Sequence, residues 1–173
     1  VEYPRWKEEQ YCDVSKSQFR QHPKDYLESL ATVLSQLTRR NPSQSKQVRA
    51  LAVDTTGSTP CFTDSKAVPL SLQEDFSEDP DAMFILWKDH TAQAESDEIN
   101  QLMRNQPINY ARQMGGYNSP EGFWPKVLHI LRTNEHIRQK AYSVIELCDY
   151  IPAVLTGCTS IDKLRTGRCI AGV

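Results

Sequence analysis

The feature that most constrains this chain is the alternation of one long amphipathic stripe with short apolar runs, each of which stops abruptly at a polar loop. Between Pro23 and about Arg40 the residues Tyr26, Leu27, Leu30, Val33, Leu34 and Leu37 recur at helical spacings, which predicts a helix with one buried face. Residues 48–53 (Val-Arg-Ala-Leu-Ala-Val), 83–87 (Met-Phe-Ile-Leu-Trp) and 142–147 (Tyr-Ser-Val-Ile-Glu-Leu) have the length and apolar content of strands, the first of them buried. A polar helix after His90 would turn Ile99, Leu102 and Met103 inward, and another starting near residues 118–121 would bury Trp124, Val127, Leu128 and Leu131. A short helix over residues 151–155 would close on Gly157. Residues 61–63 and 67–70 flank the turn signal Asp64-Ser65-Lys66 and predict a hairpin, while residues 2–6 predict a short strand that needs a neighbour. Strands alternating with helices predict an α/β layer architecture.

Composition narrows the function classes. The 173 residues are enough for one domain, and 20 basic against 22 acidic residues, mixed along the chain, give a net charge of −2. No basic face suits nucleic acid or anionic lipid. No apolar run approaches the roughly 20 residues needed to span a bilayer, and residues 1–6 lack a signal-peptide core, so a cytoplasmic protein without a membrane partner is expected. Cys12, Cys61, Cys148, Cys158 and Cys169 form no Cys-x-x-Cys pair and read as small, buried or half-buried thiols. The four histidines are scattered, so a metal held by protein side chains alone is not expected.

Two loops carry the candidate chemistry, because ligands of α/β sheets bind beyond strand ends. In the first, residues 54–61, Gly57 lets a ligand approach the backbone and the hydroxyls of Thr55, Thr56, Ser58 and Thr59 could bond a polyol; the alternative is a turn-rich strand exit whose hydroxyls satisfy one another. Asp54-Thr55-Thr56-Gly57-Ser58 approaches the aspartic-protease signature, but the extra threonine spoils it and no second copy is present. In the second loop, residues 87–91, the Trp87 indole suits the C–H face of a sugar, while Lys88 and Asp89 could bond hydroxyls or form an ion pair; the alternative is a strand end with helix-capping charges. The chain has no Gly-x-x-x-x-Gly-Lys-Ser/Thr, no Gly-x-Gly-x-x-Gly and no Gly-x-Ser-x-Gly.

The blocks Tyr-Pro-Arg-Trp (3–6), His-Pro-Lys-Asp-Tyr (22–26), Val-Asp-Thr-Thr-Gly-Ser-Thr-Pro (53–60) and Met-Phe-Ile-Leu-Trp-Lys-Asp-His-Thr (83–91) resemble the ribulokinase branch of the FGGY carbohydrate kinase family. Phe-Trp-Pro-Lys (123–126), Glu-Leu-Cys-Asp-Tyr (146–150) and Gly-Arg-Cys (167–169) extend the resemblance from end to end. It implies a ribonuclease H-like, actin-like ATPase fold with a mixed sheet flanked by helices, incomplete here. Residues 1–173 would be a single partial domain, the sugar-binding one, lacking its first hairpin; the nucleotide-binding domain would be absent. The resemblance further implies that the loop matching Gly57, Ser58, Thr59 and Cys61 lines the sugar site together with Trp87 and the segment around Tyr117, although the family has alanine where this chain has Cys61. With Lys88 and Asp89 these residues make up the candidate substrate-binding set, with none assigned to catalysis or metal.

The implied activity of the parent protein is phosphorylation of L-ribulose or a related pentulose to its 5-phosphate by ATP and Mg, both engaged by parts outside this segment. The segment alone would then be inactive. Two rivals from other classes are a non-catalytic sugar-binding or interaction module and the hydrolytic or acetate-kinase branch of the same fold. Sheet edges left without partners would favour a homodimer or a marginally stable monomer.

Overall fold

The computed structural model describes residues 1–108 and 110–165, so the Gly-Arg-Cys block and Cys169 lie outside the described residues. The chain runs α1 (Pro4–Lys7), β1 (Cys12–Asp13), β2 (Gln18–Gln21), α2 (Pro23–Arg40), α3 (Pro42–Ser45), β3 (Pro60–Thr63), β4 (Phe84–Ile85), α4 (Gln93–Arg104), α5 (Phe123–Thr133), α6 (Glu135–Lys140), β5 (Ser143–Glu146), α7 (Leu147–Thr156) and α8 (Ile161–Arg165), with short 3₁₀ turns between. Helix α2 starts where Pro23 presets φ and the His22 ring accepts a hydrogen bond from the Lys24 amide. Helix α7 ends on Gly157 at φ 67°, a left-handed position that suits glycine.

Strand alternation builds two cores. Cys61 and Phe84 pack with Tyr26, Ile145, Leu147, Tyr150 and Ile151 on the α2/α7 side. Their neighbours Phe62 and Ile85 point the other way, to Phe76, Phe123, Val127, Ile130 and Ile137 on the α5/α6 side. A thin strand layer between helices is the expected α/β architecture.

Several expectations are corrected. The described strands form two small sheets, β1-β2-β4 and β3-β5, and every pair is antiparallel, so no mixed sheet forms among the described residues. Residues 48–53 are not a buried strand: Val48, Leu51 and Val53 are 64%, 55% and 37% exposed. Apolar content cannot hold an extended segment whose backbone finds no ladder, and this run finds none among the described residues. Residues 4–7 are a helical turn, because the Asp25 carboxylate accepts from the amides of Arg5 and Trp6. The expected hairpin shrinks to one bridge, Thr63 to Pro69, around a turn in which Asp64 accepts from the amides of Lys66 and Val68.

The inner face of α4 is polar rather than apolar. Glu95, Ser96 and Asn100 are buried, and Ser96 Oγ and Asn100 Nδ2 both donate to the Asn118 carbonyl, while Leu102 is exposed. Helix α5 begins only at Phe123, because the backbone at Gly122 is still extended at φ −62° and ψ 154°, and a side chain at Gly122 would meet Asn118 Oδ1 at 2.7 Å. Trp124 is exposed there, and the stripe is Phe123, Val127 and Ile130.

These burials set an expected contrast in stability. Phe62→Ala, at a fully buried site, should cost about 3–5 kcal/mol. Leu51→Gln, in the unpaired segment, should change stability by less than about 0.5 kcal/mol. Urea unfolding of the two variants checks both; a comparable loss for Leu51→Gln would mean that residues 48–53 are buried in solution.

Candidate functional site

The β3–β5 register pairs Pro60 with Glu146, so the loop entering β3 lies beside the end of β5. The Lys126 side chain joins this corner to the end of β4. Its Nζ donates to the Ser58 carbonyl at 2.8 Å, the Leu86 carbonyl at 2.7 Å and the Trp87 carbonyl at 3.3 Å. Lys126 is 1% exposed, and it reaches these acceptors because it shares the inward face of α5 with Phe123, Val127 and Ile130. Burial pulls its pKa down from 10.5 to about 8, against the attraction of Asp89.

Glu146 closes the same corner. Its Oε2 accepts from the amides of Thr59 at 2.8 Å and Leu147 at 3.3 Å, which also caps α7; its Oε1 is buried without a hydrogen-bond partner. Burial raises the carboxyl's pKa, and the amide bonds from Thr59 and Leu147 oppose that shift. Within the loop, Thr56 and Thr59 hydroxyls bond each other at 2.9 Å, and Thr59 Oγ1 donates to the Gly57 carbonyl. These two hydroxyls are therefore satisfied internally. Ser58 is held at φ 50°, a left-handed conformation unusual for serine. A Cβ added at Gly57 would meet nothing within 4 Å, so this turn leaves its backbone open to approach.

Across the gap, Trp87 is 49% exposed at the end of β4. Lys88 turns its ammonium over the rings of Trp6 at 4.9 Å and Phe19 at 4.3 Å, a doubly cation–π arrangement. Asp89 is wholly buried: it pairs with buried Arg20 and accepts from the Phe19 amide at 2.7 Å, the Thr91 amide at 3.1 Å and the Thr91 hydroxyl at 2.6 Å. A cleft of about 780 Å³ opens alongside, with Trp87, Lys88, Thr55 and Thr56 on its wall and apolar side chains of α2 and α7 behind them.

The geometry sorts the candidate residues by position. Gly57 and Ser58 stand on one side of the Lys126 bridge and Trp87 and Lys88 on the other. Thr59 and Cys61 are buried, the latter with its thiol on the Ala82 carbonyl, and Asp89 is enclosed by its partners. Tyr117 is 44% exposed and bonds Gln93 and Ser96 of α4, away from the cleft wall. Lys126 and Glu146 escaped assignment in the sequence, although each is a charge inside an apolar run, which is the signal that marks them.

The lowered Lys126 pKa has a signed consequence. Between about pH 8 and pH 10.5 the unfolded chain holds the proton that the folded chain has lost, so this group makes stability rise with pH. The full effect is about 3 kcal/mol, and below that window the cost of the buried ammonium is constant. Unfolding free energies of the parent minus those of Lys126→Met should show this rise; a difference that stays flat across the window contradicts the buried ammonium.

No family model matches the chain. It is 41% identical over 174 residues to a ribulokinase from Vibrio parahaemolyticus, covering 99% of this chain and 31% of the relative. A ribulokinase from Bacillus licheniformis is 30% identical over 152 residues, covering 88% of this chain and 27% of the relative. Among solved structures, a xyloylose kinase from Brucella ovis superposes with a TM-score of 0.63 at 15% identity, covering 79% of this chain and 26% of that one, and shares the fold. The chain thus spans less than a third of the length of these curated relatives. Over 99% of its own length it is homologous to a segment of the ribulokinases.

Proposed function

We propose that the chain is part of the sugar-binding domain of an FGGY-type carbohydrate kinase with a ribonuclease H-like fold, acting in the cytoplasm on L-ribulose or a related pentulose. The observation that carries this reading is the half-exposed Trp87 indole at a strand end, tied through Lys126 to the open turn at Gly57, in a chain 41% identical to a ribulokinase. An indole face accepts the C–H side of a sugar, and the open turn at Gly57 with the Ser58 hydroxyl suits its hydroxyls. Holding the acceptor hydroxyl in place lowers the barrier to phosphoryl transfer by several kcal/mol, about 7–11 when the reacting atoms are well aligned.

The described residues contain no group of three or more His, Cys, Asp or Glu side chains that could hold a metal ion, and the chain has no glycine-rich phosphate loop of the Walker type. Phosphoryl transfer to a sugar also requires ATP and Mg. In this reading both belong to other parts of a longer protein, and these residues bind and orient the sugar.

The test is a coupled ADP-release assay on the complete reading frame that carries this sequence, with L-ribulose as acceptor. Trp87→Ala should raise the sugar KM about tenfold, as loss of a ring contact worth roughly 1.4 kcal/mol requires, and leave the KM for ATP unchanged. Absence of sugar-dependent ADP release in the parent would overturn the reading. Equal effects on both KM values would instead make Trp87 a core residue.

A further inference from the structure

Lys126 lies outside the set of sugar-facing residues, yet both walls of the proposed site hang from it. An ammonium has three N–H donors, and Lys126 has three carbonyl acceptors, one from the β3 entry loop and two from the end of β4. Among the described residues the neighbouring cations are engaged elsewhere: Lys88 is held over Trp6 and Phe19, and Arg20 is committed to Asp81, Asp89 and Thr91. Ser58, whose carbonyl is one of the acceptors, keeps a left-handed φ of 50° that its own side chain does not favour. On the far side of that residue, the Thr59 amide is fixed by Glu146. The Ser58–Thr59 peptide group is therefore held on both sides, its carbonyl by a buried cation and its amide by a buried anion.

We propose that Lys126 is a positioning residue of the sugar site, which sets the spacing and pitch between the Gly57–Ser58 turn and the Trp87 indole without touching the sugar. Helix α5 supplies the rigid arm, because Phe123, Val127 and Ile130 anchor the same face. This role rests on the proposed function above for its link to the sugar, and on geometry alone for the link between the loops. The charged groups that face Lys126 are Asp89 and Arg20 from the strands β4 and β2 and their loops, Glu146 from β5, and Glu121 from the turn before α5. When Lys126 loses its proton it keeps two donors for three carbonyls, so at least one of the three bonds is lost, the longest being the one to Trp87 at 3.3 Å.

The chain has three tryptophans, and replacing Trp6 and Trp124 by Phe leaves Trp87 as the sole indole. In that background, acrylamide quenching of Trp87 should increase between about pH 7 and about pH 9, with a midpoint near the Lys126 value of about 8. Lys126→Met should be quenched about twofold more than the parent at low pH, and both Lys126→Met and Lys126→Arg should lack the transition, since a guanidinium keeps its charge. No change in the parent across this range overturns the inference whether or not the variants fold. A transition retained in either folded variant also overturns it, because another group then causes it.

In the complete reading frame, Lys126→Arg should raise the sugar KM about tenfold and leave the KM for ATP unchanged. A moved Trp87 signal with an unchanged sugar KM overturns the positioning role. Failure of the proposed function itself is recognised separately, by a parent with no sugar-dependent ADP release, and the fluorescence arm still decides whether Lys126 links the loops.

Discussion

A single buried ammonium holds the candidate site together. Lys126 sits almost wholly out of water, where an unpaired charge costs several kcal/mol, and it is tolerable there only because three carbonyls and the nearby carboxylates of Asp89, Glu146 and Glu121 compensate it. Each of those carbonyls belongs to an irregular segment with few ladder bonds of its own. The loop before β3 and the loop after β4 would otherwise be free to adopt many conformations, and the strands they serve are only four and two residues long. Short strands cannot position loops by themselves. The cation on α5 transfers the rigidity of a packed helix to them.

The same corner is organised by a chain of alternating charges. Asp81 and Asp89 flank Arg20, Lys126 follows, and Glu146 closes the series. Arg20 and Asp89 are both buried, and Asp89 has its acceptor capacity filled by Arg20, Phe19 and Thr91. Replacing one member would leave its neighbour charged and unpaired, which is more damaging than removing both. Asp89 and Glu146 accordingly serve the shape of the wall, and the groups left exposed at this corner are the Gly57 turn and the face of Trp87, which lines the cleft.

How much of this was legible in the sequence follows from which interactions are local. Helix α2 was readable because its stripe, its proline start and its polar stop all lie within the segment, and α7 because Gly157 ends it. Trp87 was readable as a strand-end aromatic. Residues 48–53 were misread because strand character belongs to a pair of segments, and no partner was visible in the run itself. The inner face of α4 was misread because Ser96 and Asn100 are buried by bonds to the Asn118 backbone, which apolar periodicity cannot register. Lys126 shows in the sequence as a charge between Phe123 and Ile130 on an apolar face, but its acceptors are carbonyls some 40 and 68 positions away, and carbonyls carry no sequence signal.

The account stands on Lys126 serving both loops at once, and amide hydrogen exchange of the intact chain tests that most directly. Comparing the parent with Lys126→Met, the account predicts faster exchange in residues 54–60 and in residues 86–91 together, with protection in α2 and α5 retained. Unchanged exchange in both loops, or faster exchange in only one of them, would contradict it.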